Sequence, residues 1–570
     1  MKYLFIAFYL FCILSECAFS QKANRFDIII DEIFPDPSPA VGLPQMKFIE
    51  LKNVSASAFN LRNWQISDSN STATIKKDFI LEPDSFVVIC ATSAAAAYSK
   101  FGATIGVTGF PTLNIGGDIV YLKSPEGLTV HAISYNTSWY ENNIKSSGGW
   151  TLEMIDTKNP CTGFRNWKAS TDANGGTPGK KNSIDGNNKD EQPPTLLRTY
   201  TIDSATIVAV FDEPLDSNNA SQVNNYIIDT GINKPLAAFP RPPLFSEVLL
   251  KLPKPLSSHS IYQLTTNNIS DCIGNISTEN TAKAGLPVLP DTDDIVINEI
   301  LFNPKIGGYD YIEFYNRSNK VIDMRQLFVA GRDEIGVLKS VSQLSKTPLL
   351  LFPGEYWVAT KNKLWLEQTY LVKNPDNVLE LSTLPSWPDD EGIAVLLNIN
   401  QSVIDELHYS SKWQFALLND RSGVALERIE FNKPTQDANN WTSAASTAGF
   451  GTPTYQNSEF KSGQELKGGI NITPKIFSPD NDSYEDYCFI NYQFPDPGYV
   501  ANIIIYDASG RIVRVLANNI TLATSGSIKW DGLDDKQQKL PVGMYIIFTQ
   551  IFNLSGKTSQ FKNAVTLARN

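Results

Sequence analysis

The chain is poor in the residues that metal and thiol chemistry use. Its 570 residues include three histidines and six cysteines. His131, His259 and His408 are scattered, and there is no His-x-His or Cys-x-x-Cys. That excludes the usual zinc and di-metal hydrolase signatures. There is no Gly-x-Ser-x-Gly elbow and no phosphate-cradling glycine loop. Charged residues make up only 19%, with a net charge of −12. A nucleic-acid partner is not expected, because gripping a phosphate backbone needs clustered Lys and Arg. After the first 20 residues no apolar run is long enough to span a membrane. What is present is a 42% apolar fraction with 11% aromatics, in short runs separated by Asn, Ser, Thr, Gly and Pro. This pattern favours many short strands over long helices.

Residues 1–20 read as a secretory signal peptide. Lys2 precedes the apolar run Tyr3 to Leu14, and Ala18-Phe19-Ser20 supplies small residues before Gln21. The alternative is a lipoprotein signal using Cys17, but Glu16 stands where that signal needs a small residue. Cys90, Cys161, Cys272 and Cys488 remain after processing, too few for a disulfide framework.

The rest of the chain is built on a duplication. Asp27-Ile-Ile-Ile-Asp-Glu-Ile33 and Phe48-Ile-Glu-Leu-Lys-Asn53 return as Asp294-Ile-Val-Ile-Asn-Glu-Ile300 and Tyr311-Ile-Glu-Phe-Tyr-Asn316. Leu152-Glu153 returns as Leu426-Glu427, and Asn166-Trp167 as Asn440-Trp441. Gly176-Thr-Pro178 with Asn182-Ser183 returns as Gly451-Thr-Pro453 with Asn457-Ser458. The offset drifts only from 263 (Leu61 to Met324) to 275 (Asn182 to Asn457), which marks a duplicated domain and not a short solenoid repeat. Strand alternation predicts Ile28, Ile30 and Glu32 on one face, with the carboxylate at the rim of a core.

This set of motifs resembles the lamin tail domain, an Ig-like β-sandwich also found in secreted bacterial proteins. The resemblance covers 27–183 and 294–458, and it implies binding or scaffolding, not a reaction. Between the copies, residues 193–288 resemble the Ig-like modules of bacterial surface-layer and adhesin proteins, through Phe211-Asp-Glu-Pro-Leu215 and Ile269-Ser-Asp-Cys-Ile-Gly-Asn275. Residues 470–570 resemble the Ig-like domain of flagellar hook-capping proteins and, through their late Gly-x-Tyr and final strand, type IX secretion sorting domains. The expected fold is therefore all-β, four tandem Ig-like sandwiches. Polar linkers are expected at 185–194 and 459–469.

Catalytic candidates reduce to the duplicated glutamates: Glu32, Glu50 and Glu153, and Glu299, Glu313 and Glu427. Clustered carboxylates could serve as acid and base or bind a cation. The favoured reading is structural: they cap backbone N–H groups or pair with Arg62 and Arg325. His131 falls opposite Asp405 in the duplicate and His408 opposite Ser134, outside the shared pattern. Cys90 and Cys161 share a module, and both align with threonine (Thr360 and Thr435). A pair and two buried thiols both fit, and free thiols are favoured because nothing else in the chain is built on cystine. Trp64, Trp139, Trp150, Trp167, Trp413 and Trp441 are expected in cores and not on a sugar-binding face. Asp480, Asp482, Glu485 and Asp486 crowd one loop and form a candidate calcium site, against the simpler reading of a solvated acidic turn.

The expected function is a secreted or cell-surface binding, adhesion or scaffold protein of the bacterial envelope, with no catalysis and no cofactor other than calcium. Its partner would be an envelope protein or a polysaccharide, and the periplasm is the alternative location. The rival readings are an accessory to an extracellular nuclease or phosphatase, or a type IX cargo with an unrecognised activity.

Overall fold

The computed structural model describes residues 22–333, 335–461 and 468–569. The signal peptide and part of the second linker lie outside the described residues. The chain forms two compact units, one of residues 1–255 and 262–284, the other of 256–261 and 285–570. Nearly all regular structure is strand, as the short β-branched runs predict. The described helices are short, the longest being Lys363–Thr369. None is long and apolar enough to cross a membrane.

In unit one the opening strand Ile28–Phe34 lies inside a six-stranded sheet. On one side are Leu152–Met154 and Trp167–Ala169, on the other Phe48–Asn53, Phe86–Ala91 and the parallel edge strand Thr104–Val107. A four-stranded sheet, ordered Thr129–Asn136, Gly117–Lys123, Gln65–Ser67 and Thr72–Thr74, supplies the other layer. The shared core includes Ile30, Ile49, Leu51, Trp64, Leu122 and Trp167. Unit two repeats this order strand for strand around Ile295–Leu301, down to a parallel edge strand at Val378–Glu380. Its core includes Ile297, Ile312, Phe314, Leu396 and Trp441. Trp64, Trp139, Trp167 and Trp441 are buried, and Trp150 and Trp413 pack partly buried against the same cores.

Unit one also holds a four-stranded sheet around Thr206–Phe211 and a three-stranded sheet that includes Tyr226–Ile228. Unit two ends in a three-stranded and a five-stranded sheet around Phe477, Trp530 and Ile547. There Asp507 accepts from the Ser509 and Arg511 amides, closing the hairpin between Tyr499–Asp507 and Ile512–Leu522.

Three expectations need correction. The first concerns the opening strand, which does not alternate cleanly. Ile30 pairs with Leu51 and Glu32 with Glu50, so Asp31 is an extra, bulged residue. Asn298 is bulged at the same place in the second copy. A bulge switches the faces that follow it. Ile30 and Ile33 thus both reach the main core, while Phe34 joins a smaller cluster on the opposite face with Phe48, Val88, Cys90 and Tyr98. Glu32 shares that second face and is fully buried, not at a rim.

The second concerns the polar segment 185–194, which is pinned and not free. Gly186 N–H donates to the Ile155 carbonyl and Asn188 N–H to Asp156, while the Asn188 amide reaches the Arg165 carbonyl. The third concerns Cys161, which is bonded to Cys272 with Cα atoms 6.2 Å apart. The sequence favours a free thiol at Cys161, with Cys90 in the same module as the alternative partner, whereas this bond joins two modules. Cys90 and Cys488 are free and buried, as favoured for Cys90. Burial pushes their thiols up to about 11 and about 12, so neither is a ready nucleophile.

Candidate functional site

The duplicated glutamates stand side by side. Glu32 faces Glu153 on one neighbouring strand and Glu50 on the other, and Glu299 is flanked in the same way by Glu427 and Glu313. All six are fully buried. Neither Arg62 nor Arg325 neutralises them: Arg62 pairs with Asp78 and Arg325 with Asp323. Their partners come mostly from the closing motif, joined by Thr151, Asn298 and Tyr311.

Thr177 N–H donates to Glu32 (2.7 Å) and its hydroxyl to Glu153 (2.9 Å). Ser183 caps Glu153 at 2.7 Å, and Gly179 N–H donates to Glu50. In the second copy Thr452 N–H donates to Glu299 (3.0 Å), Thr454 N–H to Glu313 (2.6 Å), and Ser458 caps Glu427 at 2.8 Å. Asn182 and Asn457 donate to the carbonyls of the bulged Asp31 and Asn298. The Gly-Thr-Pro…Asn-Ser motif is thus a clasp laid across the glutamates. Its glycine is required by close approach: a Cβ on Gly176 would lie 2.7 Å from the Glu32 carboxyl, and one on Gly451 2.6 Å from the Tyr311 hydroxyl.

The geometry calls for protons. The Thr452 hydroxyl lies 3.0 Å from Glu299 and 2.8 Å from Glu427 but has one hydrogen, so a carboxyl proton must serve the other contact. Like charges directly opposite on neighbouring strands also repel. Burial, reinforced by the neighbouring carboxylates, holds Glu32, Glu50 and Glu313 well above the usual range and Glu299 at about 8.

A group whose pKa is raised on folding stabilises the fold below its ordinary pKa, and that stability is lost as pH rises. For Glu299 the loss runs from about 4.5 to about 8. Glu50→Gln keeps the shape of the neutral acid. At pH 5 its unfolding free energy should stay within about 1 kcal/mol of wild type. Its decline between pH 5 and pH 8, read from urea midpoints, should be smaller. An unchanged decline would assign the pH dependence to other groups.

A second buried constellation sits at the bulge. Ile30 N–H donates to His131 Nδ1 at 2.9 Å, and Ile297 N–H donates to Asp405 at 2.8 Å. His131 and Asp405 therefore do the same work, although the two residue types hid the equivalence. His131 is held neutral, its pKa lowered to about 4 by burial. Asp405 is matched by the fully buried Arg428 (3.2 Å), which also donates to the Ile297 carbonyl at 2.7 Å.

Neither trio meets solvent, and one oxygen each of Glu32 and Glu50 has no partner among the described residues. Sealed carboxyls have no solvent route. Among the described residues, the acidic groups whose oxygens all lie within 4.8 Å of one another are two others: Asp190–Glu213–Asp271 and Asp480–Asp482–Asp486. Glu485 is not part of the second. There Asp486 accepts from the Asn481 and Ser483 amides, Asp480 from the Ser478 hydroxyl and the Asp482 amide, and Asp482 from the Tyr484 amide.

Unit two also carries a groove of about 690 Å³ whose lining includes Lys373, Thr447, Tyr455, Gln456, Tyr492 and Ser525. The Lys373 ammonium sits 3.9 Å from the centre of the Tyr455 ring, and the Tyr492 hydroxyl donates to Thr447 at 3.0 Å. The lining includes Thr452, Asn457 and Ser458 of the closing motif, but its other residues come from segments far apart in the chain.

Residues 21–137 match the Lamin Tail Domain. The sheet of that region is completed beyond the match, by Leu152–Met154 and Trp167–Ala169. A search of curated proteins gave no match.

Among solved structures, the chain is similar to the N-terminal part of the bacterial S-layer protein SbsC (16% identity, 28% of this chain and 44% of that one, TM-score 0.16). It is also similar to a DUF4876 family protein from Bacteroides thetaiotaomicron VPI-5482 (10% identity, 33% and 78%, TM-score 0.17). A third is the tetra-tandem repeat from the extending region of a large adhesion protein (10% identity, 95% and 99%, TM-score 0.13). The chain spans less than half of the SbsC fragment. At these identities and TM-scores no function is carried over from them.

Proposed function

We propose that the chain is a secreted, non-catalytic binding protein of the bacterial cell surface that holds a polysaccharide in the unit-two groove. The observation that carries this reading is the sealing of both glutamate trios. The strongest catalytic candidates in the sequence are spent on locking the closing motif to the opening strand. The groove supports a sugar partner by its chemistry: Gln456, Ser525 and Thr447 offer hydrogen-bonding groups, and tyrosine offers a flat apolar ring with a polar edge. The Cys161–Cys272 bond supports an oxidising, extracytoplasmic compartment.

A glycan array probed with the full chain tests the reading. Wild type should retain a defined class of polysaccharide, and Tyr455→Ala should bind it at least about tenfold more weakly, a loss of about 1.4 kcal/mol. Hydrolysis of any arrayed glycan, or capture of an envelope protein with no glycan retained, would overturn it.

A further inference from the structure

The group Asp190–Glu213–Asp271 differs from the acidic turn at 480–486 in one respect. Its members are buried, and one Asp190 oxygen and both Glu213 oxygens lack partners among the described residues. Asp190 comes from the pinned segment after the first sandwich. Glu213 follows the strand Thr206–Phe211, and Asp271 precedes the half-cystine Cys272. Asp271 is held rigidly: one oxygen accepts from the Ile273, Gly274 and Asn275 amides, and the other accepts from the Asn275 side chain at 2.8 Å. Asp190 accepts from the Gln192 amide through one oxygen, and its other oxygen has no partner among the described residues. Glu213 is only 5% exposed, and neither of its oxygens has a partner there.

A buried carboxylate left without donors is costly, and an intact fold almost always supplies them. Among the described residues no lysine or arginine is hydrogen-bonded to Glu213; the Arg165 guanidinium acts on it through space and pairs with the neighbouring Asp212 at 4.0 Å. Three carboxylates that each bring an oxygen within 4.8 Å of the others, with unmet oxygens on Asp190 and Glu213, are what a cation would satisfy.

We propose that Asp190, Glu213 and Asp271 bind a calcium ion. The donors are all oxygen, which selects a hard cation over zinc, and Glu213 can offer both of its oxygens to one ion. Calcium accepts six to eight oxygens in flexible geometry, whereas magnesium demands a tight octahedron. Ligands drawn from three separate segments suit the former, with water completing the shell. The ion would tie the segment leaving the first sandwich to the loop that carries Cys272. Bound calcium and the disulfide would then brace the same junction.

Glu213→Gln keeps the size and shape of the side chain, so it should still fold in chelator.

The test uses the full chain with its disulfide intact, freed of metal by chelator, then titrated with calcium or magnesium and followed by calorimetric binding and thermal melting. Calcium should raise the wild-type melting temperature, because a ligand of the folded state stabilises in proportion to its occupancy. Glu213→Gln and Asp190→Asn should each weaken calcium binding about tenfold or more, as affinity in oxygen sites follows ligand charge. Asp482→Asn should leave it unchanged. The proposal is overturned if wild type does not respond to calcium, if magnesium acts equally at equal concentration, if both junction variants respond like wild type, or if only Asp482→Asn abolishes the response.

Discussion

Arg428→Met should lower the stability of unit two by about 3–5 kcal/mol, because it leaves Asp405 as an unpaired charge in the core. Arg428 has no exposed surface and Asp405 has 5%. The guanidinium donates to Asp405, to Thr435 (2.6 Å), to the Lys433 carbonyl (3.1 Å) and to the Ile297 carbonyl, so one substitution removes all four contacts.

The first copy shows a version of the same site without charge. Met154 pairs in register with Trp167 as Arg428 does with Trp441, and His131 caps Ile30 where Asp405 caps Ile297. Replacing a buried ion pair by groups that need no counter-charge is often neutral, whereas breaking one is not. The double variant Arg428→Met with Asp405→His should therefore return to within about 1–2 kcal/mol of wild type. Urea unfolding of the wild type and the two variants checks this. A single variant within about 1 kcal/mol of wild type, or a double variant no better than the single, would refute the equivalence.

Loss of the Cys161–Cys272 bond should be comparably large. The bond closes a loop with a sequence separation of 111. Constraining a loop of that length in the unfolded chain is worth about 4–5 kcal/mol. Cys161→Ser with Cys272→Ser should lower the denaturant midpoint of unit one accordingly. A reducing agent should do the same to wild type and nothing further to the variant. A wild-type midpoint indifferent to reductant would mean that the two modules are held together without the bond. The effect should stay within unit one, since both cysteines lie there.

The sequence by itself determined the strands and the duplication. Alternating β-branched runs bounded by Pro, Gly and Asn specify strands locally, and motif pairs at a nearly constant offset specify two copies of one topology. Scarce histidine and absent glycine loops narrowed the chemistry without any coordinates. The glutamates and the closing Gly-Thr-Pro…Asn-Ser could be seen as two separate shared motifs, but not as one clasp.

Tertiary structure alone decided how these parts meet. Glu32 finds its donors 119 and 145 residues away, at Thr151 and Thr177. The bulge at Asp31 exists only as a register against Phe48–Asn53. The His131–Asp405 equivalence lies in which amide each side chain caps, not in residue type. Cys161 reads as a free thiol in the sequence because its partner lies in another module, and the Asp190–Glu213–Asp271 group shares no local pattern. In each case local propensity acts over a few residues, whereas satisfying a buried polar group depends on whatever the folded chain brings within about 3 Å.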